Sequence, residues 1–413
     1  MADNLLYSSL GWIDFSPTHR NRVGTVLDLL RPEGMVDELG LSTVRDALSN
    51  HLFPGISTIQ TRAKYFFIIP YILYEYQQLP TVKRKSKTAS QYLEQREYEI
   101  MWQLADNYEH EEGHGVIGIT KYRPEKIVRR PSAIYWNGLY NFDFINTKGL
   151  ATEAFLRQAT RQTLSELLSL SKEGDDSKDD ADAGYENLFR LRIPPKKNWA
   201  TNLTLDLDKD EAEIFRDKIF SKANNKLLSE LLHKDEVWKV FKKSDGFMGF
   251  AKQIVFQRNP DSISKTITMA HDFSELMYGA HLHYNYILQQ KVFQSNFYLN
   301  EWREWVKQLR KTMIDYNGFD PNEILQKYAL TTRSTTAEFI KDWWRQAQSD
   351  FKNTKKLEQL ITQQEVNAKG SKARLRWNKT EDVKEDKWIG LTFFDYRFFQ
   401  VRTIINDIKQ GLK

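Results

Sequence analysis

The sequence predicts a mainly α-helical protein, and three observations support this fold class. Apolar residues recur at helical spacing over several long segments, including residues 263–293. Helix-start signals precede some of these segments, such as Asp208 followed three residues later by Glu211. Only short β-branched or aromatic runs interrupt the helical pattern. We therefore expect a multi-helix N-terminal domain with a few short strands and a larger helical C-terminal domain.

The N-terminal domain is predicted over residues 1–82 as three helices joined by short turns. A first helix is expected from Ser16, a second from Ser42 and a third after Ser57, which has Gln60 in a capping-box pattern. Helix-turn-helix domains and other small bundles share this layout, so both interpretations stay open.

The third predicted helix has one apolar and one polar side. Ile59, Ala63 and Phe66 fall at helical spacing and would anchor the helix in a core. The opposite side is polar, which is typical of a recognition or docking helix. The candidate nucleic-acid contacts on this helix are Thr58, Gln60, Thr61, Arg62 and Lys64.

Residues 83–171 are predicted as a mixed helical segment with short strands. A basic run at its start marks an exposed boundary, and a helix is expected from Ser90 to Tyr108. The short apolar runs at 116–119 and 134–136 fit either strands or buried turns.

Residues 172–184 are rich in acidic side chains and have no large apolar residue, which predicts a flexible linker. The helical C-terminal domain follows over residues 185–413. Leu203, Leu205 and Leu207 alternate like a strand, and Asp208 then opens a helix. Later helices are expected at residues 263–293, 299–316, 336–351, 355–367 and 399–408.

His110 and His114 match the zinc-binding spacing of metalloproteases, in which both histidines lie on one face of a continuing helix. Gly113 and Gly115 flank the second histidine, however, and predict that the helix ends there. A polar helix terminus is therefore the simpler interpretation.

Two other patterns also favour structural roles over metal binding. Asp206, Asp208 and Asp210 have the alternate spacing of a calcium loop, but the glycine and glutamate of such a loop are absent. His281 and His283 do not share one helix face. Because the chain also has no phosphate-binding or dinucleotide-binding glycine motif, we expect no metal and no cofactor.

The composition limits the classes of protein that fit. The net charge is only +5, so nucleic-acid binding would depend on local basic patches. The chain has no cysteine, which excludes disulfides and thiolate nucleophiles and fits a cytoplasmic protein. Its start lacks the features of a signal peptide. The longest apolar run, at 65–74, is shorter than the roughly 20 residues that span a bilayer, so no membrane partner is expected.

Two basic clusters contain aromatic residues, the combination that neutralises phosphates and stacks on bases. The segment 369–379 has five Lys or Arg residues, one Trp and no acidic residue. Its candidate contacts are Lys372, Arg374, Arg376 and Trp377. The second cluster has Arg129 and Arg130 as candidate contacts, with Tyr135 and Trp136 close behind in the sequence.

Several segments together resemble an uncharacterised bacterial family of unknown function. They are GWIDFS at 11–16, VDELG at 36–40, LFPGISTIQTRAKYF at 52–66, GVIG at 115–118, RRPSAIYWNGL at 129–139, KARL at 372–375 and DYR at 395–397. The resemblance implies an origin in prokaryotic antiviral defence loci, near helicases and phospholipase-D-like nucleases. It implies no particular chemistry.

These observations lead to three functional hypotheses. The first is a non-catalytic, cytoplasmic accessory subunit of an antiphage system that binds DNA, a helicase or a nuclease. The second is a metal-dependent nuclease, for which Asp382, Glu385 and Asp386 are the candidate carboxylates. The third is a protein scaffold that docks a partner through aromatic side chains. Its candidates are Tyr65, Tyr71, Tyr74, Trp343 and Trp344.

Overall fold

A computed structural model describes residues 37–158, 189–256, 262–313, 319–349, 351–378 and 380–413 of the protein. In this part of the chain the fold is mainly α-helical, as predicted. The only β pairing found there is an isolated antiparallel bridge between Ile145 and Leu191. The helix predicted from Ser16 and the predicted linker 172–184 both lie outside the described residues.

The structure describes the following helices, given in chain order. They are α1 (Ser42–Leu52), α2 (Tyr65–Gln77), α3 (Thr81–Ser86), α4 (Ala89–Asn107), α5 (Pro131–Asn141), α6 (Lys209–Lys222), α7 (Leu227–His233), α8 (Asp235–Lys243), α9 (Phe247–Phe256), α10 (Ser262–Phe293), α11 (Leu299–Met313), α12 (Pro321–Lys327), α13 (Ser334–Gln348), α14 (Thr354–Lys369), α15 (Arg374–Trp377) and α16 (Phe398–Gly411). A single 3₁₀ turn, Gly370–Lys372, lies between α14 and α15.

The chain divides into two compact units that are discontinuous in sequence. Among the described residues, unit 1 contains 37–48, 254–256 and Ser264–Tyr396. Unit 2 contains Ser49–Gln253, 262–263 and Arg397–Lys413.

Helices with strong local signals form where they are expected. The helix predicted at 90–108 is α4, and the long helix predicted at 263–293 is α10. The capping box that opens α6 is complete, because the Glu211 N–H donates to Asp208 Oδ1 at 3.0 Å and the Asp208 N–H donates to Glu211 Oε2 at 3.1 Å. The carboxylate of Asp208 therefore caps a helix, as the sequence indicates.

The predicted start of the third helix is wrong. Residues 56–64 are not helical, and α2 begins at Tyr65. Gln60 Oε1 does accept the Ser57 N–H at 3.1 Å, but Gln60 Nε2 donates to the Gly55 carbonyl and draws the chain into a turn. The polar face expected over residues 57–65 therefore does not exist as a helical face.

A distant tyrosine explains why this loop does not continue as a helix. The Tyr135 hydroxyl accepts the N–H groups of Thr61 and Arg62 at 2.8 and 3.0 Å. It also donates to the Arg62 carbonyl at 2.9 Å. Burial raises the pKa of Tyr135 to about 12, so the hydroxyl keeps the proton that this third bond requires. Tertiary bonds thus replace the helical ones.

The short strands expected in the N-terminal half are not formed. Residues 116–119 lie in turns, which was one of the two predicted alternatives, and residues 134–136 belong to α5. The predicted strand at Leu203, Leu205 and Leu207 is also wrong. This segment is irregular, and its carbonyl and N–H groups at 203 and 205 bond to the end of α4 instead of to a strand.

The core of unit 2 is an aromatic cluster centred on α2. Phe66 is fully buried and contacts the ring of Phe215 at a centroid distance of 4.7 Å and that of Tyr135 at 5.0 Å. Gly138 of α5 permits this packing, since a Cβ there would lie 2.6 Å from the Gly55 carbonyl oxygen and 2.7 Å from the Phe66 ring. A side chain at this position would therefore force α2 and α5 apart.

Unit 1 packs around α10, which has 32 residues. Trp305 covers Gly279 of this helix so closely that a Cβ there would overlap the indole. Trp343 is fully buried and its indole N–H donates to the Leu276 carbonyl at 3.0 Å. The tryptophans of unit 1 that surround α10 are therefore core residues.

Two histidines of α10 are also buried in unit 1. His281 is completely buried, and neither ring nitrogen has a hydrogen-bond partner among the described residues. Burial lowers the pKa of His281 to about 4, an effect that nearby Asp37 opposes, and burial lowers the pKa of His283 to about 4 as well. Both side chains are therefore neutral core groups at neutral pH.

We expect Gly138→Ala to destabilise the protein by about 1–3 kcal/mol because of overpacking between α2 and α5. Gly249→Ala is the matched control, since a Cβ at this helical glycine of α9 has no atom within 4 Å. It should be neutral or slightly stabilising. Urea unfolding measures both effects, and equal stability of the two variants would contradict the close approach at Gly138.

We expect His281 to make the protein less stable as pH falls from about 6.5 to about 4. The unfolded histidine binds a proton near 6.5 whereas the folded one does so only near 4, so the unfolded state binds more protons in this window. The free energy of unfolding of His281→Gln should therefore fall less steeply with acid than that of the wild type. Exposed His114 provides the control His114→Gln. Identical pH dependence in wild type and His281→Gln would contradict this assignment.

Candidate nucleic-acid interface

The predicted contacts near α2 are mostly engaged in holding their own loop. Thr58 is exposed, whereas Gln60 is buried and bonds within the turn. The Thr61 hydroxyl donates to the Gly115 carbonyl at 2.6 Å. Of these three side chains, only that of Thr58 is fully exposed. Gln60 and Thr61 line a pocket of about 490 Å³ together with Arg62.

Arg62 and Lys64 form ion pairs inside unit 2. Arg62 Nε lies 2.9 Å from Asp407 Oδ2, and its Nη2 lies 2.9 Å from Asp206 Oδ1. Lys64 Nζ lies 2.6 Å from Glu211 Oε2, and both side chains are buried. If Arg62 and Lys64 bound phosphates instead, the buried carboxylates of Asp407 and Glu211 would lose their ion-pair partners, at a high energetic cost. Their geometry thus indicates a structural role.

The second predicted cluster presents only one open cation. Arg129 is exposed, but Arg130 Nη1 pairs with the buried Glu97 at 3.1 Å. The Tyr135 ring is completely buried, and the Trp136 indole donates to the Leu150 carbonyl. Neither ring is available to stack on a base.

The aromatic residues proposed for a scaffold are also largely internal. Tyr65, Tyr71 and Trp343 are buried in the cores of their units. The tyrosine hydroxyls are used too, since Tyr65 accepts the Ile117 N–H and Tyr71 donates to Glu211. These side chains stabilise the fold and do not form a docking surface.

The C-terminal basic segment differs from these sites. Its residues 372–377 are held in a fixed position on unit 1 and form what we call the platform. The four residues of α15 begin where the Glu365 carboxylate accepts the N–H groups of Arg374 and Leu375, both at 2.8 Å. Leu375 anchors the other side of α15 in the core. Burial raises the pKa of Glu365, and the two N–H donors oppose this rise.

Two of the four predicted contacts on the platform, Arg376 and Trp377, lie next to each other at the surface. Trp377 is 54% exposed, and the Arg376 guanidinium lies over its ring at 5.7 Å from the centroid. Lys372 is exposed on the preceding turn. Arg374, in contrast, points to Asp382 at 2.5 Å and helps to fix the segment.

Arg376 lines a groove of about 830 Å³ between α14, α15 and the end of α10. The structure brings three further lysines into this groove that the sequence had not marked as contacts, namely Lys291, Lys355 and Lys356. Glu358 is the single acidic residue of the lining. The groove is therefore electropositive although the protein as a whole carries little net charge.

Two of the lysines stand where a helix normally disfavours them. Lys355 and Lys356 follow the N-cap residue Asn353, whose side chain accepts the Lys356 N–H at 3.1 Å, and the first turn of α14 has no acidic residue. The positive end of the helix dipole disfavours a nearby cation by about 0.3–1 kcal/mol. Both the lysines and the helix end would favour an anion in the groove. Two consecutive lysines just after an N-cap residue are the sequence signal that could have indicated this anion-binding groove.

Lys291 contributes to the frame of the groove as well as to its charge. Its Nζ lies 3.4 Å from the Leu375 carbonyl oxygen and 3.6 Å from Glu358 Oε1. The first of these contacts connects the end of α10 to the platform that holds Arg376. The position of the platform therefore depends on α10 and α14 together.

The carboxylates proposed for a nuclease, Asp382, Glu385 and Asp386, do not form a three-ligand metal group among the described residues. Asp382 pairs with Arg374, and Asp386 bonds through its backbone N–H to Gln289 Oε1. Within the described ranges, no group of three or more His, Cys, Asp or Glu side chains is arranged to hold a metal ion. His110 and His114 are not on a helix either, because α4 ends at Asn107.

The fold and the groove define a mainly α-helical protein whose described residues form an electropositive surface groove on unit 1. The chain belongs to a family of unknown function, DUF6361, whose family model matches residues 7–398. No curated protein and no solved structure matches the chain. Among the residues the structure describes, none of the helices has the length and apolarity to cross a membrane.

We expect Glu365→Gln to loosen the platform, because an amide can accept through only one of its two end atoms and would leave a buried N–H unpaired. Such a loss costs about 1–3 kcal/mol. Urea unfolding should show this destabilisation, and hydrogen exchange should accelerate at the amides of Arg374 and Leu375. The control is Glu358→Gln, whose side chain is 52% exposed. Unchanged exchange at 374 and 375 would show that Glu365 does not hold α15.

Proposed function

We propose that this protein is a non-catalytic, nucleic-acid-binding accessory subunit of a prokaryotic antiphage defence system, acting in the cytoplasm with a helicase or nuclease partner. The observation that carries the binding proposal is the electropositive groove of unit 1. The defence context rests on the segments that resemble a family from antiviral loci, and the family itself has no known function.

The groove has the features that phosphate binding requires. Four basic side chains face one acidic side chain in its lining. Lys355, Lys356 and Arg376 can each release a counterion from a nucleic acid when they neutralise a phosphate. Arg376 can also bind a phosphate through two N–H groups at once. The ion-paired Arg62 and Lys64 of unit 2 offer no comparable site.

The binding proposal is tested by fluorescence anisotropy with labelled oligonucleotides across a salt series. We expect the triple variant Lys355→Glu, Lys356→Glu and Arg376→Glu to bind at least about tenfold more weakly than the wild type. Its log–log salt dependence should also be shallower by about 2–3, because three phosphate contacts are lost.

The matched control is Lys307→Glu on α11 of the same unit, a lysine whose side chain is 64% exposed and paired with Glu304. It changes charge outside the groove and should bind like the wild type. Equal affinity and equal salt dependence for the triple variant and the wild type would overturn the groove as the binding site.

The defence proposal requires a separate measurement. We expect the native locus to lower phage plaque counts, and we expect the groove triple variant to lose most of this protection while the Lys307→Glu variant keeps it. Full protection by the triple variant would separate the defence role from nucleic-acid binding in the groove.

A further inference from the structure

We propose that the groove selects single-stranded over double-stranded nucleic acid, with one unpaired base stacked on Trp377 and the adjacent phosphates held by Arg376 and the lysines of α14. This inference rests on the proposed nucleic-acid-binding function and names its substrate class. It is based on the contact between the exposed indole of Trp377 and Arg376, an arginine that lines the basic groove.

Trp377 is available to a base face. The residue is 54% exposed, and it belongs to a four-residue helix that a buried carboxylate holds in place. Asn378 follows in a left-handed conformation with φ 51°, so the chain turns away directly after the indole. A rigid aromatic ring presented in this way costs little conformational entropy on binding.

Arg376 links the stacking surface to the phosphate site. Its guanidinium lies over the Trp377 ring at 5.7 Å from the centroid and also lines the groove. A nucleotide whose base stacks on the indole would therefore place its phosphate close to this cation. Stacking on an aromatic ring combined with a basic channel is how proteins hold single strands without reading their sequence.

A duplex cannot use the same surface without a cost. Its bases are stacked on each other and present only their edges, so an indole can reach a base face only after neighbouring bases unstack. The groove volume of about 830 Å³ is also that of a small-ligand cleft, typically about 300–1,000 Å³, and suits a short single-stranded segment.

The wall of the groove offers hydrogen bonds that suit unpaired bases. Gln359 and Gln363 follow Lys355 at four-residue intervals on α14, and all three line the groove. Side-chain amides bond well to base edges, and unpaired bases expose the Watson–Crick edge that a duplex conceals. Gln363 Nε2 already donates to Asn367 Oδ1 at 3.1 Å. The amide of Gln359 and the side-chain oxygen of Gln363 are therefore the potential base contacts beside Lys355.

The test compares a labelled 20-nucleotide oligo-dT with a 20-base-pair duplex by fluorescence anisotropy at one salt concentration. We expect the wild type to bind the single strand at least about tenfold more tightly. Trp377→Leu should weaken single-strand binding by about 5- to 150-fold, whereas Trp377→Phe should retain most of it because a ring remains. Neither variant should alter the salt dependence, since neither removes a charge.

The possible results distinguish a failure of single-strand selection from a failure of the proposed nucleic-acid binding. Equal or tighter binding of the duplex overturns single-strand selection. Full single-strand affinity in Trp377→Leu overturns stacking on Trp377. In both cases salt-dependent binding that is lost in the groove triple variant would leave the proposed function intact. No binding of either probe at low salt would overturn both proposals.

Discussion

Buried carboxylates that accept backbone N–H groups fix the helix starts on which the rest of this structure depends. Asp37 accepts the N–H groups of Leu41 and Ser42 at the start of α1, and Asp407 accepts that of Ala63 just before α2. Glu97 and Glu365 do the same for α5 and α15. Local N-caps are absent at several of these sites, so a distant carboxylate satisfies donors that a helix cannot pair by itself.

The segments that resemble the bacterial family meet at these anchoring points. In unit 2 the loop before α2 bonds to Gly115 through Thr61 and to α5 through Tyr135, which joins three of those segments. In unit 1 Glu38 pairs with Lys369 at 3.3 Å, close to the segment that contains Arg374. The contacts of Thr61, Tyr135 and Glu38 therefore hold the fold together.

The groove shows how a local field arises in a protein of small net charge. Charged groups elsewhere, such as Arg62 and Lys64, are neutralised by carboxylates at hydrogen-bonding distance. At the groove the cations converge from α10, α14 and α15 with one acidic neighbour. Charge that is paired contributes to stability, whereas charge left unpaired at the surface is available to a polyanion. The basic segment of the sequence predicts Arg376 and Trp377 as contacts, and Arg376 lines the groove. The prediction missed Lys291, because only the packing of helices brings it to the groove, and it missed Lys355 and Lys356 although they follow an N-cap residue in the sequence.

Local sequence signals predict the fold class and the positions of helices such as α4, α6, α10 and α14. Capping and helical periodicity act between residues a few positions apart, so these signals can be read from the chain. The packing of the folded chain sets the start of α2 at Tyr65, since its preceding loop bonds to a tyrosine 73 and 74 positions away. It likewise decided which cations are paired and which are open, because the energy of a charge depends on burial and on partners that are distant in sequence.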